Sequence, residues 1–238
     1  MTRGKLRHHL RVALDRRKIR ERLAADTRLG RLAEHCRWLD VAAIQAQPIA
    51  AARFVVIDTE TTGLHAYAGD EIVSIALLEF VGLQPTGREF ERLVNPGRTI
   101  PAASTRIHGI TDADVADAPP LSALLAEIGE FVGEAVVVGH HVNFDLRFLN
   151  RALQRLAGCS LRNPWLDTML LYTGETGRMG HYTLEDVARA CGVAVTGRHT
   201  ARGDAQTAAQ IFAVLAARSV DAQAPVARLR DRQYDSDI

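Results

Sequence analysis

The chain has 238 residues, 47% of them hydrophobic and 24% charged, with a formal net charge of +1. That length suits one good-sized domain with a helical appendage, and no apolar run reaches the roughly 18 residues of a membrane helix. Three cysteines, Cys36, Cys159 and Cys191, lie far apart without metal-site spacing; they exclude a disulfide framework and read as reduced, small apolar residues of a cytoplasmic protein.

Charge is unevenly placed. Residues 1–53 hold 13 Lys and Arg against 5 Asp and Glu, and the rest of the chain holds 16 against 23. A basic arm is joined to an acidic body. The arm, residues 1–52, reads as a helical extension. It lacks the apolar segment of a secretory signal. Leu6, Leu10, Leu14, Ile19 and Leu23 recur at helical spacing, and Asp26 or Thr27 caps a second helix carrying Leu29, Leu32, Trp38 and Leu39. Pro48 and an Ala-rich stretch mark a short connection.

From residue 53 the pattern changes. FVVID (54–58), EIVSIALLEF (71–80) and REFERLV (88–94) read as three strands. Residues 103–120 read as a loop with short helical pieces. LSALLAEIGEFVG (121–133) is an amphipathic helix, AVVVG (135–139) a central strand, and residues 142–158 a helix ended by Gly158. A short helix follows Asp167, read as its cap. Thr183 and Asp186 stand at capping-box spacing for the next helix. A last helix opens at the GDAQ of residues 203–206, and residues 220–238 read as a polar tail. Strands followed by alternating helices and strand predict an α/β domain over 53–219, built on one sheet.

The apolar run 54–57 ends in Asp58, with Glu60 two positions on. Strand alternation puts both carboxylates on one face, where they repel unless a cation lies between them. Hard oxygen ligands suit Mg²⁺ or Mn²⁺. Two further acids stand at helix starts. Asp145 follows the strand ending at Gly139. Asp204 lies five positions after His199 in GRHTARGDAQ. Each alone fits a helix-start acid favoured by the dipole or by capping.

Together, D-x-E on the first strand, an Asp at a helix start, His-x4-Asp at the last helix and HGI at 108–110 resemble the DEDDh 3′→5′ exonucleases. That group includes the proofreading ε subunit of bacterial DNA polymerase III. The resemblance covers about residues 53–218. It implies a ribonuclease-H-like fold, a mixed sheet flanked by helices, and a two-metal-ion hydrolysis releasing 5′-mononucleotides from 3′ ends. It implies that Asp58, Glu60, Asp145 and Asp204 hold two Mg²⁺ or Mn²⁺ ions and that His199 is the general base. A histidine's usual pKa of about 6.5 suits that work. It further implies that the backbone around Thr61 meets the terminal 3′-hydroxyl. By the same resemblance, Leu64 would wedge between the last two bases, and His108 and Phe144 would pack against the terminal nucleotide. Stacking and wedging are indifferent to sequence.

Single-stranded or frayed 3′ ends of DNA are the expected substrate. An RNA-directed exoribonuclease and a non-catalytic nucleic-acid-binding module are the alternatives. The basic arm fits nucleic acid, a protein partner such as a polymerase, or the acidic body of its own chain. No membrane is implied, and oligomeric state stays open.

Overall fold

The computed structural model describes residues 15–234; Leu6, Leu10 and Leu14 lie outside that range. The chain folds around one sheet. Its strands are β1 (Arg53–Thr61), β2 (Ile72–Val81), β3 (Gln84–Leu93), β4 (Val136–Gly139) and β5 (Trp165–Asp167), in the order β3-β2-β1-β4-β5. β1, β2 and β3 form an antiparallel meander; β4 joins β1, and β5 joins β4, in parallel. The mixed, helix-flanked sheet agrees with the expected class.

Burial explains the strand sequences. Ile72–Leu78 of β2 is buried throughout, so it reads as a continuous apolar run. β3 is an edge strand in which only Phe90 is buried. Its Arg88, Glu89, Glu91 and Arg92 keep the free edge charged. β3 starts four residues earlier than the sequence suggested, because an edge strand needs no apolar signal. β5 escaped the sequence reading, since three residues are too short to show a period.

Alternation along β1 separates two cores. Val55 and Ile57 face α2 (Thr27–Trp38), α5 (Leu121–Val132) and α6 (Asn143–Ala157). Phe54 and Val56 face α3 (Val41–Ala46), α7 (Thr168–Thr176), α8 (Leu184–Cys191), α9 (Ala201–Ser219) and α10 (Val226–Arg232). α1 covers residues 15–25, and its Leu23 packs on the first core. α4 (Ala102–His108) lies in the β3–α5 connection.

The described part of the basic arm, residues 15–52, folds back on its own body. Asp26 caps α2, accepting from Leu29 N at 3.0 Å. Leu29, Leu32 and Cys36 enter the core, while Trp38, expected among the apolar positions, is 78% exposed. Arg28 reaches Glu130 of α5 with two bonds, at 3.1 and 2.6 Å. Arg22 donates to the carbonyls of Arg155 and Leu156 at the end of α6, where free carbonyls need donors.

The C-terminal segment corrects the expectation of a polar tail. Pro225 starts α10, and Val226 and Leu229 are fully buried. The Arg232 carbonyl passes so close to Gly174 of α7 that a Cβ there would lie 1.8 Å from it. Two large apolar residues three apart would not have signalled this helix, because its other side chains are Ala227 and charged groups.

Candidate active site

β4 ends at Gly139, and its ladder with β1 stops at Val56. Beyond that point β1 runs on beside β2 alone, with a register shift between Glu60 and Thr61. Asp58 and Glu60 therefore lie inside the strand, not past its end, at the crevice where its parallel neighbour has finished. Ligands of open α/β sheets bind at such carboxyl ends. Both acids share the face of Phe54 and Val56, which is the face α9 covers.

Asp204 meets them from α9. It does not cap that helix, as its position had suggested: Thr200 does, accepting from Gly203 N at 3.1 Å. Asp204 stands one turn in and is 4% exposed. Carboxylate oxygens of Asp58, Glu60 and Asp204 lie within 4.8 Å of one another. Asp204 Oδ1 is buried and makes no hydrogen bond. Three hard donors with one unsatisfied buried oxygen fit a divalent cation.

Asp145 arrives from the opposite side of the sheet, in the first turn of α6. Thr59, the residue of β1 that faces that way, donates from Oγ1 to Asp145 Oδ1 at 2.6 Å. The loop before α6 is braced by Asp167. Its carboxylate accepts from His141 N and Val142 N at 3.1 and 3.0 Å, and from Met169 N at 3.0 Å as the cap of α7. The capping role read for Asp167 holds, with this second duty added.

The acids feel one another. Burial, then the charges of Asp145, Asp204 and Glu60, push Asp58 well above the usual carboxylate range. Burial and Asp204 push Glu60 up to about 7. Asp145 is pushed to about 7 by burial, against the Thr59 hydrogen bond. Burial also raises Asp204, and Arg198 opposes it. A cation reverses this logic by favouring every charged form.

His199 sits at the crossing of Gly197 and Gly203. A Cβ on Gly203 would lie 2.1 Å from the Gly197 carbonyl, so only glycine lets this loop approach α9. His199 itself has a φ of 62°, a conformation few side chains adopt. Its backbone N–H donates to Asp204 Oδ2 at 3.3 Å. His108 is buried, accepts from Ile110 N through Nδ1 at 3.0 Å, and leaves Nε2 without a partner. Burial lowers its pKa, and the nearby His199 lowers it further, against the Thr61 backbone. Thr61, His108 and His199 thus gather beside the carboxylates.

Leu64 is 75% exposed. A large aliphatic side chain standing free fits a wedge better than a core position. Phe144 is different. It is half-buried, packs on the first core and sets its ring 5.1 Å from that of Phe148.

The exonuclease family model of the RNase T type matches residues 55–212. The chain belongs to this exonuclease family. A DNA polymerase III subunit epsilon-like protein of Rhodobacter capsulatus is 43% identical over 173 residues, 71% of this chain and 24% of that protein. The DNA polymerase III subunit epsilon of Aquifex aeolicus is 36% identical over 159 residues, 67% of this chain and 78% of that protein. The chain thus spans about a quarter of the first relative and most of the second. Among solved structures, the zinc-bound complex of E. coli exonuclease I with single-stranded DNA aligns with a TM-score of 0.63 at 18% identity. It covers 76% of this chain and 42% of that one, and at that identity it supports the fold.

Two site residues gave no sequence signal as family motifs do. Arg198 forms ion pairs with both Asp204 and Glu185; only its place beside His199 hinted at it. Thr59 was hidden between the two acids it separates. His140 is held by Thr168 Oγ1 at 2.9 Å and the Tyr182 carbonyl at 3.0 Å, and burial lowers its pKa to about 4.

Proposed function

We propose that this family member is a divalent-cation-dependent 3′→5′ exonuclease that releases 5′-mononucleotides from DNA. The observation that carries the proposal is the convergence of Asp58, Glu60 and Asp204 around the unsatisfied Asp204 Oδ1, with His199 on the adjoining loop.

Asp58, Glu60, Asp145 and Asp204 would hold two ions, Mg²⁺ or Mn²⁺. When bound, such ions lower the pKa of the attacking water and stabilise charge on the leaving 3′ oxygen. The protein's own residues do the rest. An imidazole nitrogen of His199 takes the proton from the water. The Thr61 backbone receives the terminal 3′-hydroxyl, and the unpartnered Nε2 of His108 faces the same terminal nucleotide. Leu64 separates the last two bases. Phe144 gives the pocket a packed wall. Asp167 and Thr59 fix the start of α6 and hence Asp145.

DNA is favoured as substrate because the relatives are named as parts of a DNA polymerase. A polymerase partner is consistent with the same names. The arm's Arg22 and Arg28 are spent on the body of their own chain, which favours self-packing over nucleic-acid binding for those two residues. The test is digestion of 5′-labelled single-stranded DNA and RNA with Mg²⁺ or Mn²⁺. The proposal expects a ladder shortening from the 3′ end, faster on DNA and absent with EDTA. Products shortening from the 5′ end, or none, would overturn it.

A further inference from the structure

Two of the three cysteines, remote in sequence, meet in space. Cys36 lies on α2, 2% exposed. Cys159 follows Gly158, the αL cap of α6, and is half-buried against the same core. Both line one surface cavity, and Cys159 packs against the core cluster that holds Cys36. We propose that Cys36 and Cys159 form a peroxide-oxidisable dithiol that closes to an intramolecular disulfide, tying the N-terminal extension to the end of α6.

The surroundings are built for it. A surface cavity of about 290 Å³, lined by Cys36, Arg37, Cys159 and Arg162, opens beside the pair, so a small oxidant reaches Cys159 without unfolding. Arg162 donates to the Arg37 carbonyl at 2.8 Å, which joins the two segments across the thiols. Asn150 Oδ1 holds Leu161 N at 2.8 Å, and Gln154 reaches Ser160 at 3.0 Å, so the Cys159 segment is fixed near its partner. Disulfide formation needs the sulfurs to close to about 2.05 Å, and the two residues already line the same cavity.

Exposure assigns the roles: Cys159 is half-buried and reachable, whereas Cys36 is buried. Cys36 and the positive charge of Arg37 hold the Cys159 thiol below its usual range, while Cys159 and burial raise that of Cys36. Thiolate character makes Cys159 the attacking sulfur. It attacks one oxygen of hydrogen peroxide and breaks the O–O bond. The sulfur becomes a sulfenic acid, and the other oxygen leaves as hydroxide and is protonated to water. The Cys36 sulfur then attacks the Cys159 sulfur, losing its proton as hydroxide leaves, and the two make a second water. Two thiols and one peroxide thus give one disulfide and two waters. Cys191, buried in α8 on the other side of the sheet, has no such neighbour, and burial raises its pKa.

The experiment treats the full chain with hydrogen peroxide and maps peptides without reduction. The inference expects a Cys36–Cys159 cross-link, free thiols falling from the three of the sequence to one, and reversal by dithiothreitol. In Cys36→Ser the Cys159 sulfenic acid should persist and take up dimedone, about tenfold faster than Cys191 reacts. Cys159 reacting no faster than Cys191 in the folded protein, or oxidised without pairing to Cys36, would overturn it.

Discussion

The Arg198 guanidinium forms an ion pair with one oxygen of Asp204, while the other oxygen of that carboxylate is buried and unpartnered. Arg198 thus offsets the crowding of three acids in one crevice. It lowers the pKa of Asp58, Glu60 and Asp204, against burial and mutual repulsion.

Removing that charge should move the site's pH dependence. In Arg198→Met the carboxylates hold their protons to higher pH. Activity at pH 7 should fall about ten- to a hundredfold, as for other supports of a ligand set, and recover as pH rises toward 9. A pH–rate profile with the midpoint of the parent would contradict this role.

Thr59 tests the second carboxylate position. Thr59→Val keeps the shape of the side chain and removes the donor to Asp145 Oδ1. The account expects activity reduced about tenfold with little change in melting temperature, measured by initial rates and thermal unfolding. Unaltered rates would mean that Asp145 needs no such anchor.

His199 allows a clean separation of backbone from imidazole. Its φ of 62° suits glycine, so His199→Gly should fold as the parent does. The rate should drop by about 10²–10⁴, the usual worth of a general base, and added imidazole should restore part of it. Full activity in the variant would remove His199 from the chemistry.

Metal removal should expose the strain among the acids. Glu60 and Asp145 are raised to about 7, so the folded state keeps protons that the unfolded chain loses from about pH 4 upward. Without cation, the contribution of these two groups to stability is therefore fullest below about pH 4 and is lost as pH rises through 7. Melting in EDTA should show this fall, and Asp58→Asn should lessen it, by on the order of 1–2 kcal/mol at pH 8. Mg²⁺ should raise the melting temperature at pH 8 far more than at pH 5.

The sequence carried the site better than its supports. D-x-E, Asp145, His199 and Asp204 were legible because their spacing is bound to strand and helix starts. Arg198 and Thr59 were not, because ion pairs and cross-sheet hydrogen bonds depend on tertiary placement. The sheet was legible where burial makes long apolar runs, as in β2, and faint where it does not, as in the edge strand β3 and the three-residue β5. α10 was missed because only Val226 and Leu229 mark its apolar side. Leu229→Ala should accordingly cost about 2–5 kcal/mol in denaturant unfolding while leaving the activity of folded molecules unchanged.

The measurement that bears most directly on the account is calorimetric titration of Mn²⁺ into the parent chain and into Asp204→Asn at pH 7. The parent should bind Mn²⁺ and release protons, since Glu60 and Asp145 are part-protonated there, and the variant should bind at least about tenfold more weakly. Equal binding by the two proteins, or no binding by the parent, would contradict a cation site built on Asp58, Glu60 and Asp204.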